Sequence, residues 1–172
     1  MQEYKKINKH LERYWLLSRE FFLSKDYGLA AFFAITLIEE ISKLVIIYSE
    51  DYRFFKNHDK KYQITIGQTL FANARVSRIY KKKEKVFADW FKENKLFEIR
   101  NKGLYLEKGN KEIMTPNENL PEEDVFLLVC FAGEIFAEIQ GFYNQEKPEK
   151  WSEIIKEVDY FRNNNKPDDF DF

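Results

Sequence analysis

Apolar residues recur every three to four positions along several stretches of the chain, and this spacing predicts helices. The first runs from about residue 5 to 24, with Ile7, Leu11, Tyr14, Trp15, Leu17, Phe21 and Phe22 in phase. Ser24-Lys25-Asp26 interrupts it, and Ser24 or Asp26 suits the N-cap of a following helix. That helix, from about 27 to 50, is apolar almost all round, so burial on most sides is expected. Ala30, Ala31 and Ala34 would let a neighbour approach closely. In its middle, Thr36, Glu39, Glu40, Ser42 and Lys43 fall within one sector at about 100° per residue. They form a polar island on a buried rod. Two readings stand side by side. Glu39 and Lys43 can pair at i,i+4 and face solvent, or the carboxylates can orient a cation such as Arg100 inside the fold.

Residues 51–63 read as a polar and aromatic connection, and a third helix is expected over 63–80. Arg75, Arg78, Lys81, Lys82, Lys83 and Lys85 form a basic cluster. It is either a solvated helix end, where cations meet the C-terminal dipole, or a phosphate-tracking patch that includes Tyr80. Val86, Phe87, Trp90 and Phe91 predict a short amphipathic helix. Leu96, Ile99 and Gly103 keep helical spacing, and Gly103 suits a helix end or a close backbone approach. Tyr105-Leu106 and Ile113-Met114, on either side of Gly109-Asn110, predict a small hairpin or ordered loop. Pro121 opens another helix, to about 143, with Glu122, Glu123 and Asp124 at the positive end of its dipole. Gly133, Ala137 and Gly141 give that helix a flat face, for contact within the fold or across a dimer. Lys147-Pro148-Glu149 breaks the pattern before a final helix over 149–163. The expectation is one all-α domain over 1–163, a helical bundle with a hairpin or loop insertion after Arg100-Asn101. Residues 164–172 lack periodicity and are expected to form a mobile tail.

Composition narrows the function. The chain has 172 residues, enough for a core without disulfide staples. Its net charge of −1 excludes a strongly basic nucleic-acid binder but allows local basic patches. Cys130 is the single cysteine, in an apolar run, which fits a reducing compartment. The charged start does not read as a signal peptide. The runs Leu29–Ile38 and Val125–Gly133 fall short of the roughly 18 residues a membrane helix needs. A soluble cytoplasmic protein without a membrane partner is expected.

Familiar catalytic patterns are missing. Two histidines, His10 and His58, and one cysteine do not make a zinc site, and no glycine-rich phosphate loop is present. No metal or cofactor is expected. Any chemistry must use arginine, amide, tyrosine, carboxylate and lysine groups. RNA cleavage by its own 2′-hydroxyl suits such a set: it needs help with a proton and fixed positive charge at the phosphorus. Arg100 can supply the charge. Asn101 can hold a phosphate or ribose oxygen. Tyr105, with a free pKa near roughly 10, is a weak base but can donate a proton or position the hydroxyl. It lies about 140° from Arg100 round a continuous helix, so the two converge only if the helix ends at Gly103 or a second subunit supplies one of them.

Arg100-Asn101 with Tyr105 resembles the R-N-x-x-x-H signature of the HEPN superfamily of helical ribonucleases. More of the chain resembles the AbiV-type abortive-infection proteins of bacteria. Ala34 to Lys43, Ala-Ile-Thr-Leu-Ile-Glu-Glu-Ile-Ser-Lys, is similar to that family's A-x-x-x-x-E-E-I-x-K helix. His58-Asp59-Lys60-Lys61 is similar to its His/Lys-rich connection, and Arg100 to Tyr105 to its R-x-x-G-L-Y element. The resemblance covers roughly residues 10 to 143. It implies an HEPN-like helical bundle, a homodimer with facing Arg motifs, and a role in phage defence. It implies a metal-independent endoribonuclease acting on RNA or the translation machinery, with a phage-encoded activator as a further partner. Arg100, Asn101 and Tyr105 would be catalytic, with Glu39, Glu40 and Lys43 supporting them. His58, Lys60, Lys61, Arg75 and Arg78 would bind RNA. The histidine of the HEPN signature is Tyr105 here. That leaves two expectations: a tyrosine variant of the mechanism, or a non-catalytic protein- or RNA-binding helical dimer that blocks phage growth through a partner.

Overall fold

A computed structural model of the chain describes residues 2–48, 74–91, 95–108, 112–143 and 148–172. The described residues are helical apart from turns and one small hairpin. Helix α1 is Gln2–Leu23 and α2 is Tyr27–Tyr48. Ala74–Ile79 forms α3, followed by a 3-10 turn, Lys81–Lys83, and by α4, Glu84–Phe91. Helix α5 is Lys95–Lys102. Strands β1, Glu107–Lys108, and β2, Ile113–Met114, pair antiparallel, with Glu107 opposite Met114. A single-turn α6, Pro116–Asn119, leads into α7, Glu122–Tyr143, and α8, Pro148–Asn164.

The turn between α1 and α2 has an identifiable chemistry. Lys25 takes a left-handed φ of 62°. Its N–H reaches the Phe22 carbonyl, and that of Asp26 reaches the Phe21 carbonyl, at 2.9 and 2.8 Å. This is a Schellman ending of α1. The Asp26 carboxylate then accepts from Leu29 N–H at 3.2 Å, so Asp26 is the N-cap of α2. Ser24, the other candidate, donates back to the Phe21 carbonyl. Pro148, expected as a breaker, is the first residue of α8, where a missing N–H costs nothing.

Helices α1, α2, α7 and α8 share one core, and α5 packs on α2. Trp15 of α1 lies in this core at 1% exposure. A Cβ on Gly133 of α7 would stand 2.5 Å from its ring. At Gly133 the flat face of α7 therefore serves contact within the fold. Aromatic packing extends the core: Phe87 stacks on Phe131 at 4.4 Å, and Phe126 meets Phe22, Phe161 and Phe170.

The C-terminal segment departs from the mobile tail expected for 164–172. Asp169 adopts φ 61° and turns the chain inward, so that Phe170 is buried at 4% exposure. Phe172 meets Phe170, Phe126 and Tyr80. Two aromatic residues spaced by one are too few for a periodic signal, yet they provide the apolar surface that holds the segment on the core. Most of the expected third helix, 63–73, lies outside the described residues. Among the described residues, no helix is long and apolar enough to cross a membrane.

Candidate functional site

Arg100 occupies the last turn of α5 and points at the polar island of α2. Leu96, on the same helix, is fully buried, and Ile99 packs against the core. This buried edge lays α5 on α2. At the end of α5 the Gly103 backbone meets the Gly28 backbone of α2 directly. Asn117 of α6 fastens the same corner: its Oδ1 accepts from Gly28 N–H at 3.0 Å, and its Nδ2 donates to the Lys25 carbonyl at 3.1 Å. The hairpin that follows the Arg-Asn motif is thereby tied back to the α1–α2 turn.

At this crossing, Arg100 Nη1 donates to Glu39 Oε2 at 3.1 Å. The Glu39 side chain is 7% exposed and that of Arg100 26%. The Phe32 ring lies 5.7 Å from Arg100 Cζ, within cation–π range. Lys43 pairs with Glu40. Of the two readings of the island, the carboxylate-to-arginine contact is present. A buried carboxylate needs such a cation, because its desolvation would otherwise cost several kcal/mol or more. Thr36 and Ser42 instead donate to the Phe32 and Ile38 carbonyls, each at 2.7 Å.

Arg100 Nε is buried without a hydrogen-bond acceptor among the described residues, a condition it shares with Arg19 Nε, Trp15 Nε1 and Asn119 Nδ2. A buried donor left unsatisfied costs roughly 1–3 kcal/mol. Asn101 follows, half-buried, and its carbonyl accepts from Leu104 and Tyr105 N–H, both at 3.0 Å. The helix thus ends in a turn at Gly103. Tyr105 emerges on the surface at 62% exposure, and no hydrogen bond joins it to Arg100. Glu39 and Arg100 are therefore brought together, Glu40 is the next residue of α2 and pairs with Lys43 one turn along, and Tyr105 stands apart.

Of the expected RNA-binding residues, His58, Lys60 and Lys61 lie outside the described residues, as does the Arg75 side chain. Arg78 is exposed near the start of the basic turn. His10 is exposed and meets Tyr14 edge-on at 4.7 Å. Gly28 and Asn117 are parts of the corner that spacing did not single out. Phe32 lies one turn before Thr36, on the face of the island where helical spacing puts it.

A second polar cluster is buried on the other side of the core. Arg162 Nη1 donates to Glu134 at 3.0 Å, and Arg162 also pairs with Asp159. The Tyr80 hydroxyl reaches Glu134 at 3.4 Å. Burial pushes the Tyr80 hydroxyl and the Cys130 thiol well above their ordinary pKa values, so both are neutral near pH 7. A neutral, fully enclosed thiol is an inert one. Among the described residues, no group of three or more His, Cys, Asp or Glu side chains could hold a metal ion.

The family model HEPN_AbiV, described as AbiV, matches residues 2–137, which is most of the chain. No curated protein and no solved structure gives a match. The matched span holds α2, α5, the hairpin and the start of α7, and so the whole Arg100–Glu39 corner. This chain belongs to the AbiV family of HEPN proteins.

Proposed function

We propose that this AbiV-family chain acts on RNA in abortive infection, with Arg100 as the cation that receives a phosphate. Family membership supports the defence role. The observation that carries the RNA reading is the half-open setting of the Arg100 guanidinium. Glu39 holds Nη1, while the Arg100 side chain keeps 26% exposure. An arginine oriented by a carboxylate and still open to solvent has N–H donors left for a phosphate oxygen.

The chemistry then follows. The 2′-hydroxyl loses its proton, its oxygen bonds to phosphorus, and the bond to the 5′-oxygen breaks. The 5′-oxygen takes a proton, leaving a 2′,3′-cyclic phosphate. Arg100 stabilises the added charge on the phosphorane. Asn101 orients a phosphate or ribose oxygen, and Tyr105 assists the proton transfer or positions the hydroxyl. Glu39 sets Arg100, with the Glu40–Lys43 pair beside it. Tyr105 reaches the phosphate only if a second copy brings its own motif to the same cleft or the RNA bridges the gap. A cytoplasmic homodimer responding to a phage-encoded activator is the assembly that fits this requirement.

The burial of Glu39 supports a second reading, in which the ion pair only ties α5 to α2 and the chain blocks phage growth by binding a partner. Growth arrest on expression, measured beside a melting curve, separates the two. Under the first reading, Arg100→Lys and Arg100→Ala both abolish arrest, while Arg100→Lys keeps the parent's melting temperature within a few degrees. Arrest that survives in every variant that stays folded contradicts the first reading.

A further inference from the structure

The basic turn that follows α3 is occupied by Phe170 and Asp171 of the same chain. Lys82 Nζ stands 2.6 Å from Asp171 Oδ2. Lys83 Nζ lies 4.0 Å from the centre of the Phe170 ring. The Asp171 carboxyl is held below its usual range by the Lys82 hydrogen bond, with Lys83 and Lys166 adding to the effect. Lys83 is also within electrostatic reach of Asp124, at the start of α7. The tail is therefore placed by its aromatic residues and paired by its acid. Phe170 enters the core, Phe172 packs half-buried against it, and Asp171 between them is left outside on the lysine turn. A strand-like alternation gives this result: neighbouring side chains in an extended segment point to opposite sides.

We propose that the basic turn Lys81–Lys83 is a binding surface for the phosphate backbone of RNA, and that Asp171 occupies it as an intramolecular competitor. This rests on the reading that the chain binds RNA. Lys81 and Lys82 are exposed, so the turn is accessible once the carboxylate leaves. The Lys82–Asp171 pair is itself largely exposed, at 66% and 69%, and such a pair opens easily. The aromatic anchors stay in place while the carboxylate is displaced. The strap thus weakens binding to short or poorly charged ligands and yields to a polyanion that supplies several phosphates at once.

The test is a fluorescence-anisotropy titration of the full chain with a short labelled single-stranded RNA, over a series of salt concentrations. Asp171→Asn should tighten binding by roughly two- to fivefold, the range of one exposed ion pair. It should also steepen the dependence of log K on log salt by about one phosphate contact. Lys82→Ala should weaken binding, and Asp171→Asn should add nothing in the Lys82→Ala background. Equal tightening in both backgrounds overturns the proposal, because it is then a net-charge effect. Unchanged affinity and slope in Asp171→Asn also overturns it. If the parent binds RNA and loses it in Arg100→Lys, a null result for Asp171 leaves the RNA reading standing and removes only the strap. If neither the parent nor Asp171→Asn binds RNA, both are removed.

Discussion

Gly28 and Gly103 face each other so closely that a Cβ on either would stand 2.6 Å from the other's carbonyl oxygen. The obstacle is backbone, which cannot rotate aside. The contact sets the distance between the start of α2 and the end of α5, within one turn of Arg100. Gly103→Ala should therefore push the helices apart and destabilise the fold by about 1–3 kcal/mol, the usual range for overpacking. Urea denaturation measures it. Unchanged stability in Gly103→Ala would show that the crossing is not held at this point.

The Arg100–Glu39 pair should show a coupling that an exposed pair lacks. Glu39→Gln leaves the guanidinium without its carboxylate at a site where Glu39 is almost fully covered. We expect a loss of about 1–3 kcal/mol, below the 3–5 kcal/mol of a fully enclosed pair because Arg100 keeps some solvent contact. A double-mutant cycle with Arg100→Gln should return a coupling of more than about 0.5 kcal/mol. Additive losses would mean that the two side chains do not support each other.

Much of this corner was legible in the sequence. The apolar rod of α2 with Thr36, Glu39, Glu40, Ser42 and Lys43 on one sector left two readings open, and a charge partner from another helix was one of them. Gly103 already implied a helix end or a close approach. The partner of that approach, Gly28, was not legible, because contact between residues so distant in sequence leaves no local periodicity. Nor was the position of Tyr105, since its exposure depends on how the chain leaves α5 and not on spacing. The tail misled for a related reason. Its polar composition reads as solvated, and the two phenylalanines that hold it act through a core built from other segments.

Two tyrosines should ionise late. Burial first, and then the hydrogen bond to Glu122, pushes Tyr27 up to about 12, while burial and the nearby Glu134 carry Tyr80 upward as well. Their unfolded values lie near roughly 10. A folded value raised above the unfolded one means that the stabilisation is complete below pH of about 10 and is lost as pH rises through the folded value. For Tyr27 that window runs from about 10 to about 12. Denaturant midpoints measured across it should fall less steeply in Tyr27→Phe than in the parent. Equal slopes would contradict the assignment.

Removing the anchor at Phe170 should be costly. Phe170 is 4% exposed and packs on Phe126 at 5.1 Å. Phe170→Ala should lose about 3–5 kcal/mol, the usual range for a buried phenylalanine. Thermal melting of that variant beside Asp171→Asn separates packing from charge. A large shift in the first with almost none in the second is expected, and equal small shifts would mean that the segment does not anchor.

The most direct test of the central claim is RNA cleavage by the purified full chain, read as the appearance of 2′,3′-cyclic phosphate ends. The parent should produce them, and Arg100→Lys, which keeps the charge but loses the fixed fork, should slow the reaction by about a hundredfold or more at unchanged stability. A parent that yields no such ends, or an Arg100→Lys variant that cleaves at the parent's rate, would contradict the claim.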